Sequence, residues 1–273
     1  MGTNNIDWEK VERVSIDAAL LAGEYIKKNA FGVLETEFKG GKKKEDPVTQ
    51  LDREAEQLIK QYFEEHHPAN YLGEEYGLED KGSEITAIID PIDGTKSFVL
   101  QEFDSAVSIG IEDEQRVLQI GVVYDFMKGI MYVANPSETY RLVGFDQQKR
   151  ISLTIENPLS NPRIILDGSR VPKHISSVVK REPGFKVSKF NGGIALKLAQ
   201  IASGTYSGMI TKASYDGSPW DIAAGYCILE RQGYKIYDVS GKPATHRVND
   251  NGIIVLRSDL EDKLFPRFFG VNV

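Results

Sequence analysis

Between residues 105 and 143 one device recurs. The runs SAVSIGI (105–111), VLQIGVVY (117–124), IMYVA (130–134) and TYRLV (139–143) are rich in β-branched and aromatic residues. The gaps between them are short and polar, so the spacing predicts successive strands paired as an antiparallel meander. Near residue 150 the texture changes to strands alternating with helices. RIILDG (163–168) precedes a helix near 173–180, KVSKF (186–190) one over 194–202, and GMIT (208–211) one from Pro219 to about Gln232. KIYDV (235–239) and GIIVL (252–256) are expected to close the chain. The reading is an α+β first half, 1–150, and an α/β second half, 151–273, with a boundary near 145–160 and a site between them.

Upstream of the meander, Val11, Val14, Ala18, Leu21 and Tyr25 recur at helical spacing and predict one buried face. A second helix is expected from Thr49, where Thr49-x-x-Asp52 fits a capping pattern. Its apolar stripe is Leu51, Ala55, Leu58, Ile59, Tyr62 and Phe63. Between the two helices, residues 35–46 end in KGGKKKED and read as a loop. That loop is either a solvated basic segment or an anion-attracting flap over a site.

The chain carries 33 Lys and Arg against 40 Asp and Glu, a net charge of −7 with no single-sign tail. This argues against a nucleic acid polymer as partner. One cysteine, Cys227, excludes an internal disulfide and fits a reducing compartment, so a cytoplasmic location is expected. No apolar run reaches the roughly 18 residues of a membrane span, and no membrane partner is expected.

The stretch TAIIDPIDGTKSF (86–98) ends an apolar run with two carboxylates, Asp90 and Asp93. Pro91 has no N–H and should terminate the strand. Gly94 permits close approach to the backbone, and residues 94–96 should open a short helix or turn whose free N–H groups can hold an anion. Taken singly, each acid has a structural explanation. Asp-Pro and Asp-Gly form turns. Ser218, Pro219 and Asp221 in SPWDIAAG are the N-cap, first position and N3 of a helix. Together, Glu74, Asp90 and Asp93 all fall where regular elements end. Carboxylates gathered in one cleft must protonate or find a cation. With no clustered His or Cys, oxygen ligands point to Mg²⁺, Mn²⁺ or Ca²⁺, and an anion-binding turn beside them suggests a phosphate ester.

DPVTQLD (46–52), GEE (73–75), DPIDGT (90–95) and WDIAAG (220–225), in this order, resemble the inositol monophosphatase superfamily of Mg²⁺-dependent, lithium-sensitive phosphatases. The resemblance spans nearly the whole chain. It implies a layered αβαβα sandwich, assembled as a homodimer, with two or three Mg²⁺ ions, Mn²⁺ as a possible substitute, and Ca²⁺ and Li⁺ as inhibitors. It implies that Glu74, Asp90 and the Ile92 carbonyl hold one metal and that Asp90, Asp93 and Asp221 hold a second. Asp93, Gly94 and Thr95 resemble the phosphate-holding turn. Gly192, Gly193 and Ile194, with Asp221, resemble the substrate pocket. Thr95 and Glu74 would orient a water and take its proton, with Asp52 hydrogen-bonded to Thr95.

The substrate implied is a small phosphorylated metabolite, inositol monophosphate first. DGSRVP (167–172) is closer to the inositol phosphatase pattern, because Val171 and Pro172 stand where nucleotidase-like members carry a histidine. Ser214 occupies the place of an acid expected to bind ring hydroxyls, and Asp216 is a nearby substitute. A 3′(2′),5′-bisphosphate nucleotidase, a histidinol phosphatase, a fructose bisphosphatase and a non-catalytic binding protein on the same fold are the alternatives.

Overall fold

Helix α1, Trp8–Asn29, and helix α2, Gln50–His66, form a pair on one face of a large sheet. In this computed structural model the described residues are 6–29, 36–38, 47–100, 102, 104–144, 149–153, 161–167, 171–211, 218–247 and 252–270. The basic loop 39–46, the Gly168–Arg170 part of DGSRVP, and Ser214 and Asp216 lie outside them. Two three-residue strands, β1 (Thr36–Phe38) and β2 (Pro47–Thr49), pair antiparallel where a loop was expected. In α1 the buried face runs through Val11, Val14, Ala18, Ala22 and Ile26. Leu21, expected on that face, is 42% exposed, because the stripe advances from Ala18 to Ala22 by a step of four. In α2, Leu51, Ala55, Ile59 and Phe63 recur every four residues and are buried.

The large sheet has eight strands: β3 (Asn70–Gly73), β4 (Gly77–Glu79), β5 (Ile85–Asp93), β6 (Ala106–Asp113), β7 (Leu118–Asp125), β8 (Ile130–Ala134), β9 (Thr139–Val143) and β10 (Arg150–Ser152). Their order is β10-β9-β8-β7-β6-β5-β3-β4. From β5 to β10 every pairing is antiparallel, and β6 to β9 are the expected meander, while β3 joins β5 in parallel. Strand β5 does not stop at Pro91. It continues to Asp93 through an irregularity between the Asp90–Ser108 and Asp93–Ala106 pairs. Pro91 sits inside that break, where no ladder hydrogen bond is asked of it.

After β5 comes the short helix α3 (Thr95–Val99), and in the second half α4 (Lys173–Arg181), α5 (Ile194–Ala202), α6 (Pro219–Arg231) and α7 (Ser258–Phe269). The smaller sheet holds β11 (Arg163–Leu166), β12 (Lys186–Lys189), β13 (Gly208–Ile210), β14 (Ile236–Tyr237) and β15 (Ile254–Leu256) in the order β12-β11-β13-β15-β14. Helix α7 follows the strand that was expected to close the chain. Pro266 breaks its pattern as a sequence, yet Leu260, Leu264 and Phe268 bury one continuous face of it.

Three apolar clusters define the layers. One joins α1 and α2 to the first face of the eight-stranded sheet. A second places α5 and α6 between the sheets, with Ile88 and Val123 on one side and Ile165, Met209 and Val255 on the other. The third packs α4 and α7 on the outer face of the five-stranded sheet. The result is an αβαβα stack, and the α5/α6 layer brings second-half helices against first-half strands. Among the described residues no helix is long and apolar enough to cross a membrane.

Candidate active site

Strand β5, its turn into α3, and the N-termini of α5 and α6 converge at one point. One carboxylate oxygen from each of Asp90, Asp93 and Asp221 lies within 4.8 Å of the others. Asp90 and Asp93 are 2% and 3% exposed. Asp221 sits at the third position of α6, where its Oδ2 accepts the Ser218 N–H at 3.1 Å, as the capping pattern predicts. Ser108 on β6 donates to the Trp220 carbonyl at 3.3 Å and ties the start of α6 to the large sheet.

Asp93 is held in a way that its neighbours in sequence do not announce. Its Oδ1 accepts the Ile194 N–H at 2.9 Å and its Oδ2 the Leu196 N–H at 3.0 Å, so it caps helix α5 from 101 residues away. This brings Gly192, Gly193 and Ile194 to the aspartates. The approach is close enough to require glycine. Gly94 has φ +88, and a Cβ there would stand 2.5 Å from the Gly193 nitrogen. The Gly193 N–H in turn donates to the Asp104 carbonyl at 3.1 Å, and the Asp104 side chain pairs with the buried Lys197 at 2.7 Å.

The electrostatics are those of acids waiting for positive charge. Burial first, then Glu74, Asp93, Asp221 and Asp52, push the Asp90 carboxyl well above the usual carboxylate range. Asp93 is pushed up to about 8 by burial, with Asp221 and Glu74 adding and the Leu196 and Ile194 amides opposing. Asp90 Oδ1 is buried without a hydrogen-bond partner. An orphaned buried carboxylate oxygen beside two more carboxylates is what a divalent cation of oxygen preference fits. Asp90, Asp93 and Asp221 therefore form a donor set that can hold one.

The other expected residues surround this group. Glu74 follows β3, with its N–H on the Ile89 carbonyl at 3.1 Å. It lies outside the tight trio, but its charge acts on both Asp90 and Asp93. Asp52 is 1% exposed on α2, and its charge also reaches Asp90. Ile92 is fully buried and its carbonyl accepts the Thr95 hydroxyl at 2.9 Å. The Thr95 hydroxyl proton thus goes to the Ile92 carbonyl. With that proton committed, the oxygen keeps lone pairs with which to accept from a water.

Glu56, one turn beyond Asp52 on α2, was missed. It is completely buried, its Oε2 accepts the Glu75 N–H at 2.8 Å, and burial pushes its carboxyl up to about 7. The available signal was a carboxylate placed i+4 from Asp52, on the same helix face and within the buried stripe. The cap on α5 had no local signal at all.

The model of the inositol monophosphatase family matches residues 7–267. An inositol monophosphatase from Mesembryanthemum crystallinum is 31% identical over 239 residues, 84% of this chain and 85% of that one. A fructose-1,6-bisphosphatase/inositol-1-monophosphatase from Aquifex aeolicus is 29% identical over 245 residues, covering 86% and 88% of the two chains. Among solved structures, the extragenic suppressor protein SuhB from Bartonella henselae superposes with a TM-score of 0.78 at 25% identity, covering 94% of this chain and 98% of that one.

Proposed function

This chain belongs to the inositol monophosphatase family, a class of phosphomonoester hydrolases, and from that premise we propose Mg²⁺-dependent hydrolysis of a small polyol phosphate, inositol monophosphate first. The observation that carries the metal part is the trio of buried carboxylates, Asp90, Asp93 and Asp221, with an orphaned oxygen on Asp90. The substrate part rests on the relatives' names. Bound divalent ions would supply charge to polarise the phosphate ester and acidify a water.

The residues of the chain do the rest. Asp90, Asp93 and Asp221 would hold the ions, with Glu74 and the Ile92 carbonyl completing the set. The Thr95 oxygen would accept one proton of the attacking water and aim its lone pair at phosphorus. Glu74 would take the proton released, and Asp52 would help hold the turn. The Asp93-Gly94-Thr95 turn would hold the phosphate, and Gly192, Gly193 and Ile194 the alcohol being released. The units 1–150 and 151–273 would meet at this point, the protein would act as a homodimer, and Li⁺ and Ca²⁺ would inhibit.

Phosphate release from inositol-1-phosphate, with and without Mg²⁺ and Li⁺, tests this reading. Turnover that is unaffected by chelation would overturn it. A second substrate, fructose 1,6-bisphosphate, is favoured by the name of the Aquifex aeolicus relative. Side-by-side kcat/KM values decide between them.

A further inference from the structure

Glu56 has no part in the chemistry proposed above, yet it is completely buried among the residues that carry it. Its Oε2 accepts the Glu75 N–H at 2.8 Å, and the Tyr76 N–H also acts on it. Its Oε1 has no hydrogen-bond partner. The carboxyl lies flat against Gly73, where a Cβ would overlap Oε1 and Cδ, so the chain accommodates this acid by omitting a side chain. Arg53 on the same helix pairs with the Glu75 side chain at 3.6 Å. The bend after β3 is therefore fastened to α2 as well as to its own strands.

A carboxylate is a costly choice for filling space, since an apolar group of equal volume would be buried without penalty. What it adds is an acceptor in a fixed place. The Glu74–Glu75 peptide is planar, so fixing the Glu75 nitrogen also fixes the carbonyl carbon of Glu74 and restricts where the Glu74 side chain leaves the backbone.

We propose that Glu56 is a positioning residue that, by holding the Glu75 amide, aims the Glu74 carboxylate at Asp90 and Asp93 and so sets cation affinity. The inference rests on the metal-dependent reading. It treats the acceptor as the working part of Glu56 and its volume as incidental. Outer partners that orient a ligand typically contribute about 10- to 100-fold in metal affinity.

Two variants of the full chain separate acceptor from volume. Glu56→Gln keeps both, and Glu56→Met keeps volume alone. Mn²⁺ binding, followed by the EPR signal of the free ion without substrate, is the readout, alongside thermal unfolding of the metal-free proteins. The expected result is Glu56→Gln within about threefold of wild type and Glu56→Met weaker by about tenfold or more, with a metal-free Tm no lower than wild type. Wild-type Mn²⁺ affinity in Glu56→Met would overturn the proposal, as would equal weakening in both variants, which would assign the effect to charge. Should Glu56→Met fail to fold, Gly73→Ala presses on the same carboxyl from the other side. There, about tenfold weaker binding supports the proposal and unchanged binding overturns it. A wild-type chain that binds no Mn²⁺ overturns the parent reading and this one with it.

Discussion

Two buried acidic sites in this molecule are treated in opposite ways. Glu112, 2% exposed on β6, is met by the Arg247 guanidinium on both oxygens and by His246 Nε2 at 3.0 Å. Its charge is balanced by the chain itself. Asp90, equally buried on the adjacent strand, faces Glu74, Asp93, Asp221 and Asp52 and has an oxygen with no partner. The first arrangement has its counter-charge within the fold. The second opposes folding until positive charge arrives. Buried carboxylates alone therefore do not mark a site. What marks it is a buried carboxyl that neighbouring acids push upward and that keeps an oxygen with no hydrogen-bond partner.

The contrast fails if neutralising one acid of the trio has no effect on turnover. Asp90→Asn should lower kcat/KM for the phosphate ester by about 10³-fold or more, because it removes charge from the proposed ion site. The metal-free protein should unfold at a temperature equal to or above wild type, since repulsion is relieved. Steady-state kinetics and a melting curve check both halves.

Metal addition should then stabilise one variant and not the other. At about 100 times its Kd, Mg²⁺ should stabilise the wild-type fold by about 2.7 kcal/mol. Asp90→Asn should show little of that gain at the same concentration, as differential scanning calorimetry would record.

Glu112→Ala sharpens the comparison from the other side. It leaves Arg247 and His246 without their acid and should cost about 2–3 kcal/mol of stability, read from denaturant unfolding. Turnover per folded molecule should not change, because Glu112 is remote from the chemistry proposed. A matching loss of kcat would show that the two acidic sites are not independent.

The smallest effect is in pH. Glu56 at about 7 and Asp93 at about 8 lie above their unfolded values, so between pH 5 and 8 the metal-free native state binds more protons than the unfolded chain. Its stability should fall as pH rises through that window. Saturating Mg²⁺ favours the ionised acids and should flatten or reverse the slope. A metal-free Tm that rises from pH 5 to pH 8 would contradict the comparison.

Much of this was legible in the sequence because it is local. The meander from β6 to β9 is written in runs of β-branched and aromatic residues with short polar gaps, and the α6 cap in SPWD. The Asp90-x-x-Asp93 pair announced itself by ending an apolar run. What was not legible depends on distant partners. The Asp93 carboxylate caps a helix 101 residues on, and no pattern near either residue says so. Pro91 reads as a strand terminator, and only the opposite register of β6 shows that a bulge absorbs it. Pro266 conceals α7 until the apolar surface of β11 and β15 supplies a reason for Leu260, Leu264 and Phe268 to align. Glu56 stands i+4 from Asp52 beside the buried stripe, but the amide it holds, that of Glu75, is supplied by a distant turn.

The cap that Asp93 places on α5 also has a consequence in time. A nascent chain emerges N-terminal end first, at about 5–20 residues per second. Asp93 is made long before the helix it caps and before Asp221. At that pace the interval between Asp93 and Asp221 is roughly 6 to 25 seconds. During it the first-half sheet can form, but its acids have neither the α5 amides nor the third carboxylate. A truncated chain or a stalled ribosome would expose an acidic strand end with no competence for the reaction. The activity proposed would thus be a late event in the life of each molecule, after Asp221 and the α5 amides have joined Asp93.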